Sequence, residues 1–118
     1  MSDLFAERLA AVRERFAAKL DARIEEIEST VPELDRDGAM ETLARAHRRA
    51  HDLCGVGPTM GFVATGQAAR SIEQALLAAI KAGRPLTAEE VARVRDGIAH
   101  LRAAASAESR PAGQEQGR

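Results

Sequence analysis

Four stretches of the chain repeat apolar residues at intervals of three and four, which places a stripe along one face of an α-helix. The first stretch runs from Leu4 to about Thr30, and its stripe continues to Val31, just before Pro32. The stripe consists of Leu9, Val12, Phe16, Leu20, Ile24 and Ile27. Because proline disfavours helical geometry in the residue before it, the first helix is predicted to stop near Thr30.

A second helix is predicted from about Ala39 to Cys54, after a polar segment that carries Asp35 and Asp37. Either aspartate could cap this helix by accepting hydrogen bonds from its first free backbone N–H groups. The run Gly55-Val56-Gly57-Pro58 is typical of a turn between two helices. The second helix is therefore expected to end where this run begins.

The third and fourth helices have local signals at their ends. Pro58 suits the first position of a third helix, which is predicted to reach about Ala82 and to end at Gly83. Thr87, followed three residues later by Glu90, forms a capping-box pattern at the start of the fourth helix. The apolar stripe of that helix consists of Val91, Val94, Ile98 and Leu101.

The end of the chain differs in composition from the four helical stretches. Residues 106 to 118 contain Ser, Pro, Gly and Gln and no apolar residue larger than alanine, so burial cannot offset the entropy of ordering them. This tail is predicted to be disordered. Residues 1 to 105 show no strand-like alternation and no solenoid repeat, and the predicted fold is all-α, an antiparallel up-and-down four-helix bundle.

Composition and charge exclude several classes of function. The chain is 45% hydrophobic but only 3% aromatic, with no Trp or Tyr to stack on nucleobases. Its formal net charge of -1 provides no basic field that would attract nucleic acid or an anionic membrane. The lone Cys54 cannot form an internal disulfide, and neither a signal-peptide run nor a membrane span is evident. We expect a protein of the reducing cytoplasm that contacts neither nucleic acid nor membrane.

The most promising candidate for chemistry is His51 on the second helix. Helical geometry places Leu43, Ala46, Ala50 and Leu53 within one arc that must face the core. His51 lies beside this arc, with His47 and Cys54 on its core side and Arg48 on its solvent side. An imidazole there can keep one nitrogen exposed, and a neutral ring nitrogen is a competent nucleophile near neutral pH. Spacing alone is more often that of an ordinary exposed histidine than that of a functional one.

The residues around His51 resemble a known motif. The run His51-Asp52-Leu53-Cys54-Gly55, followed by Gly61 and then by Ile72-Glu73, is similar to the pattern of the histidine phosphotransfer (HPt) family. The family pattern has a histidine, a leucine two residues later, usually a lysine, then a glycine, a second glycine and a Leu-Glu-like pair. The register matches from His51 to Glu73 without a gap. The family fold is also a helical bundle.

The resemblance implies a role for each matching residue. His51 takes the position of the phospho-acceptor, with phosphate on its outward nitrogen. Gly61 takes the position of a small residue on the facing helix, where a side chain would crowd the imidazole or the incoming partner. Glu73 takes the position that often hydrogen-bonds the other ring nitrogen and sets the tautomer, although a solvent-exposed acid remains an open alternative.

One position departs from the family pattern. Cys54 stands where a lysine usually compensates the phosphoryl charge, and a thiol cannot supply that cation. Arg48, one turn before His51, is a candidate substitute and otherwise an ordinary solvated charge. The predicted partner-binding surface around the histidine consists of Arg45, Arg48, Arg49, Asp52 and Gly55.

The resemblance also implies the partners. Phosphate would arrive from a receiver-domain aspartate, pass to another receiver domain, and originate in a hybrid sensor histidine kinase. The chain has no nucleotide-binding pattern, so we expect a phosphocarrier without a kinase site of its own. It is expected to need no cofactor, because Mg²⁺ belongs to the partner receiver domain, and to act as a monomer.

Two alternatives remain open at the level of sequence. His47, His51 and Cys54 share a helical face at offsets of four and three, and imidazole and thiolate are good zinc or copper ligands. A fourth ligand is missing from their neighbourhood. The other alternative is a helical adaptor or docking module without chemistry, such as a degenerate phosphotransfer domain, in which His51 is incidental.

Overall fold

The computed structural model describes residues 2 to 110. Four long helices and one short 3-10 helix, Val31–Glu33, account for most of this range, which contains no strand. The long helices are α1 (Ser2–Glu28), α2 (Met40–Thr59), α3 (Val63–Ala82) and α4 (Ala88–Ser109). The predicted all-α four-helix bundle is confirmed. None of these helices combines the length and the apolar character that crossing a membrane would require.

The core lies between the apolar faces of the four helices. Helix α2 packs along α3, α3 packs along α4, and α1 contacts both α4 and α2. The largest fully buried side chains include Leu20, Ile24, Leu43, Leu53, Phe62, Ile72, Leu76 and Leu101. Burial of each such side chain away from water stabilises the folded state by about 1.5 to 3 kcal/mol. The predicted core arc of α2 is confirmed, since Leu43, Ala46, Ala50 and Leu53 are all buried.

Helix α1 extends beyond the end of the bundle. Arg13 already reaches the turn between α2 and α3, where its Nε donates to the Met60 carbonyl at 2.8 Å. The residues before Arg13 therefore have little to pack against, and Leu9 is 45% exposed. Leu9 thus belongs to the apolar stripe of α1 without being buried, whereas Phe16 and the later members of the stripe are buried. The helix ends at Glu28, close to the predicted Thr30.

The main difference from the predicted helix boundaries lies at the end of α2. This helix does not stop at Cys54 but continues through Gly55 and Pro58 to Thr59. Pro58 thus belongs to its last turn, and the prediction that it begins the third helix is wrong. The reason is packing: a Cβ added to Gly66 of α3 would lie 2.8 Å from Pro58 Cδ. Close contact between α2 and α3 overrides the local turn signals.

The start of α2 also differs from the prediction. The residue that precedes the helix is Ala39, and no side chain caps the first turn, so neither Asp35 nor Asp37 has the predicted role. Apolar burial defines this connection instead, because Leu34 and Ala39 both lie in the core. The Leu34 carbonyl also accepts a hydrogen bond from the backbone N–H of Leu86 at 2.9 Å.

Local end signals hold for α3 and for the start of α4. Gly83 ends α3 in the left-handed conformation, with φ of 68°, and Thr87 and Glu90 form the predicted capping box. Helix α4, however, continues to Ser109, so the predicted disorder is wrong for residues 106 to 109, and the bundle does not end at residue 105. Residues 111 to 118 lie outside the described range, and their disorder stays a prediction.

A contact between α3 and α4 explains the extra turn of α4. The Glu108 carboxylate accepts hydrogen bonds from the backbone N–H groups of Ala64 and Thr65, both at 2.8 Å, and from Thr65 Oγ1 at 2.7 Å. It thereby caps the first turn of α3, whose own N-cap residue offers no side-chain acceptor. Burial raises the pKa of Glu108, but these hydrogen bonds outweigh that effect and hold the pKa below its usual value.

Candidate functional site

His51 lies on the exposed side of α2, about two turns before the helix ends. Its side chain is 67% exposed, while Ala50 and Leu53 on either side of it in the sequence are buried. The imidazole therefore stands at the edge of the core, as the helical periodicity predicted. Its Nδ1 lies 2.6 Å from Oε2 of Glu73 on α3, so the two helices that pack together also join these two side chains.

The contact with Glu73 determines which nitrogen of His51 can react. An ionised carboxylate can only accept a hydrogen bond, so Nδ1 of a neutral imidazole must carry the proton. The lone pair is then on Nε2, the nitrogen that does not face Glu73. Because Glu73 is only 17% exposed, water competes weakly for its oxygens. The arrangement presents an oriented nucleophilic nitrogen, and Glu73 is not the solvent-exposed acid that the sequence left open.

A second imidazole faces the same carboxylate. Nε2 of His47 lies 3.6 Å from Glu73 Oε2, and its ring is nearly parallel to that of His51, with centroids 6.2 Å apart. This Nε2 is buried and has no hydrogen-bond partner within the part of the chain that the structure describes. Sequence reasoning missed the relation between His47 and Glu73. The spacing of four residues between the two histidines indicated only that they share a face.

A shallow groove lies between α2 and α3, and its residue closest to His51 in the sequence is Cys54. It is lined by Cys54, Pro58, Val63, Gly66, Gln67 and Arg70. The exposed Arg70 thus shares the groove with Cys54, the residue that stands where the family usually has lysine. Sequence reasoning did not single out Arg70, because only the packing of α3 on α2 brings it beside Cys54.

Gly61 does not lie where the resemblance implied. It belongs to the turn between α2 and α3, with φ of 86°, and not to the facing helix. A Cβ added there would approach Arg13 Nε at 3.3 Å, which is a contact with α1 rather than with the imidazole. The placement of Gly61 on the facing helix is wrong, and its positive φ gives a separate reason for glycine at this position.

The predicted partner-binding residues differ in whether they already have a partner within the protein. Arg45, Arg48, Asp52 and Gly55 are exposed on the outer face of α2. Within residues 2 to 110, neither Arg45 nor Arg48 forms an ion pair. Arg49 instead points toward α1, where its Nε lies 3.2 Å from Glu26 Oε1. Arg49 is therefore already paired within the protein.

The structure gives no support to the metal site. In the described part of the chain, no group of three His, Cys, Asp or Glu side chains is arranged to hold a metal ion. Cys54 is partly buried and packs against the core, while the imidazole of His51 faces solvent and Glu73. The three residues of that alternative, His47, His51 and Cys54, share a helix face without converging on one point.

Fold and site together define a helical-bundle protein that presents one oriented, accessible histidine nitrogen. The family model of the Hpt domain matches residues 11 to 104. The chain therefore belongs to the Hpt domain family, and the resemblance noted in the sequence is confirmed. Searches of curated proteins and of solved structures gave no significant match. Hpt domains carry out histidine phosphotransfer in phosphorelays, as phosphocarriers rather than kinases, and interact with receiver domains and kinases.

Proposed function

We propose that this chain accepts a phosphoryl group on Nε2 of His51 from the phospho-aspartate of one receiver domain and passes it to another. The observation that carries this proposal is the 2.6 Å contact between His51 Nδ1 and Glu73 on an imidazole that is 67% exposed. The contact supports an Nε2 lone pair directed at solvent, and the exposure supports access for a partner of domain size.

The transfer balances without any group from outside the two proteins. The Nε2 lone pair forms a bond to phosphorus as the bond between phosphorus and the aspartyl oxygen breaks, and the aspartate leaves as a carboxylate. The ring keeps its Nδ1 proton and gains positive charge, which the Glu73 carboxylate stabilises. Mg²⁺ would be held by the partner receiver domain and would neutralise charge on the phosphoryl oxygens there, and this chain would contribute the oriented nucleophile.

The exposed face of α2 supplies the docking surface in this proposal. Arg45 and Arg48 project from it without internal partners among the described residues and can meet acidic groups around a receiver's active site. Arg48, which is one turn from His51, also takes on the charge compensation that Cys54 cannot provide. A hybrid sensor histidine kinase is the expected origin of the phosphate.

The test mixes the purified protein with a phosphorylated receiver domain and Mg²⁺ and measures acid-labile phosphate on the chain. The wild-type protein is expected to gain one phosphate, and His51→Gln is expected to gain none. His100→Gln is the matched control, because His100 is exposed on α4 and its ring hydrogen-bonds within its own helix, to the Asp96 carbonyl. Equal labelling of wild type and His51→Gln would refute His51 as the acceptor.

The alternative of a docking module without chemistry predicts a different result. Such a protein would bind a receiver domain with the same affinity whether or not His51 is present, and neither form would gain phosphate. Isothermal titration with the unphosphorylated receiver domain, run beside the labelling assay, therefore distinguishes the two functions. Binding without any labelling of the wild-type protein would favour the docking module.

A further inference from the structure

Glu73 lies between two histidines, and the proposed phosphotransfer uses only one of them. Its Oε2 contacts Nδ1 of His51 at 2.6 Å and lies 3.6 Å from Nε2 of His47. His47 is 24% exposed as a side chain, but its Nε2 atom is sealed from solvent. The same carboxylate oxygen therefore lies within 4 Å of a buried nitrogen that forms no hydrogen bond in the described part of the chain.

The environment of His47 favours one tautomer. A buried nitrogen without a hydrogen bond is costly, and among residues 2 to 110 no side chain other than Glu73 forms a hydrogen bond or an ion pair with His47 Nε2. A lone pair on Nε2 would face the negative carboxylate oxygen and be repelled. A proton on Nε2 would be attracted to the carboxylate oxygen. A small rotation of the carboxylate would shorten the 3.6 Å separation between Nε2 and Oε2 to a hydrogen-bonding distance. The proton is therefore assigned to Nε2.

We propose that His47 is a positioning residue that holds the Glu73 carboxylate against His51 by donating from Nε2. This role rests on the proposed function, because it acts on the histidine that accepts phosphate. The carboxylate can rotate about its own side-chain bonds, and a second donor on Oε2 restricts that rotation. Glu73 then keeps the proton of His51 on Nδ1 and remains in place when the phosphorylated ring becomes positive.

Two variants separate hydrogen bonding from packing. His47→Met provides a side chain of similar reach that fills the same space but cannot donate a hydrogen bond. His47→Gln provides an amide N–H that can donate to Glu73. His100→Met is the matched control, since His100 is exposed on α4 and its ring hydrogen-bonds to the Asp96 carbonyl of the same helix. Circular dichroism and thermal unfolding select variants that keep the fold, and His47→Leu replaces His47→Met if the latter does not fold.

Two readouts follow each variant. The first is the initial rate of phosphoryl uptake from a phosphorylated receiver domain, which His47→Met is expected to lower about two- to tenfold, the range that corresponds to one lost hydrogen bond. The second is the pair of ¹⁵N chemical shifts of the His51 ring in the unphosphorylated protein, which report where the proton resides. We expect His47→Met to shift them away from the Nδ1–H form and His47→Gln to restore both readouts.

The outcomes distinguish this inference from the proposed function. Unchanged His51 shifts and uptake in His47→Met would overturn the role of His47 and leave phosphotransfer intact. Equal loss in His47→Met and His47→Gln would also overturn it, because packing alone would then explain the effect. Absence of labelling in the wild-type protein would refute phosphotransfer, while the ¹⁵N shifts would still test whether His47 controls the tautomer of His51.

Discussion

Removal of the Glu73 carboxylate tests the central contact of the site. In Glu73→Ala, Nδ1 of His51 loses its one hydrogen-bond partner among residues 2 to 110, and the ring can carry its proton on either nitrogen. A hydrogen bond to a charged group contributes about 1.5 to 3 kcal/mol, which corresponds to roughly 10- to 150-fold in rate. Because His51 is 67% exposed and water can replace part of the bond, we expect the lower end, about tenfold slower phosphoryl uptake.

The assay follows initial rates of uptake from a phosphorylated receiver domain at several receiver concentrations. Loss of orientation at the nucleophile should lower the maximal rate and leave the half-saturating concentration nearly unchanged, because the largely buried Glu73 offers little surface to a partner. Glu73→Gln is the matched variant, since its amide oxygen still accepts from Nδ1, and it should retain more activity than Glu73→Ala. An uptake rate of Glu73→Ala within twofold of wild type would refute the orienting role.

Three further predictions concern packing, pH and charge. In Gly66→Ala, the new Cβ would lie 2.8 Å from a proline ring carbon of α2, so we expect a loss of about 1 to 2 kcal/mol in urea unfolding; unchanged stability would contradict the tight contact. Arg84 donates a hydrogen bond to the Glu90 carboxylate at 2.8 Å, and the backbone N–H of Thr87 donates another. These bonds, with that of Arg84 as the larger cause, lower the pKa of Glu90 to about 2. The ionised Glu90 therefore stabilises the fold fully above pH 4.5, and this contribution is lost as the pH falls toward 2. The unfolding midpoint of Glu90→Gln should therefore lie below that of wild type at pH 7 and approach it near pH 2; a gap that does not change with pH would contradict the assignment. Arg48→Ala should slow uptake and shorten the lifetime of phospho-His51 by up to about fivefold, as for an exposed ion pair. If Arg48→Ala leaves both unchanged and Arg70→Ala alters them, the cation comes from α3.

Features that depend on neighbours in sequence were predictable. The buried arc of α2 followed from helical periodicity, and the box formed by Thr87 and Glu90 followed from side chains three residues apart that satisfy each other's backbone. Gly83 ended α3 as predicted, because only its local conformation matters. In each case the packing between helices favours the same conformation as the local sequence.

Features that depend on packing between helices were not predictable in the same way. Pro58 and its preceding glycines indicate a turn when read alone, yet contact with Gly66 holds them in the last turn of α2. Glu108 caps α3 from the far end of α4, and nothing near residue 108 in the sequence indicates an acceptor for residues 64 and 65.

The same division applies to the candidate site. The edge position of His51 followed from the periodicity of α2, whereas its pairing with Glu73 rested on the family resemblance, since 22 residues separate them. The resemblance misplaced Gly61, because a fixed spacing does not specify where α2 ends. The approach of His47 to Glu73 had no sequence signal beyond a shared helix face.

The continuous course of α2 past His51 has a consequence for the order of events in a relay. His51 lies in the middle of a continuous helix, so a partner can reach it without a prior movement of a loop. A single reactive nitrogen, however, can enter only one receiver active site at a time. Under the proposed function, donor and acceptor must therefore alternate, and an excess of unphosphorylated donor would slow delivery to the acceptor by occupying the same face.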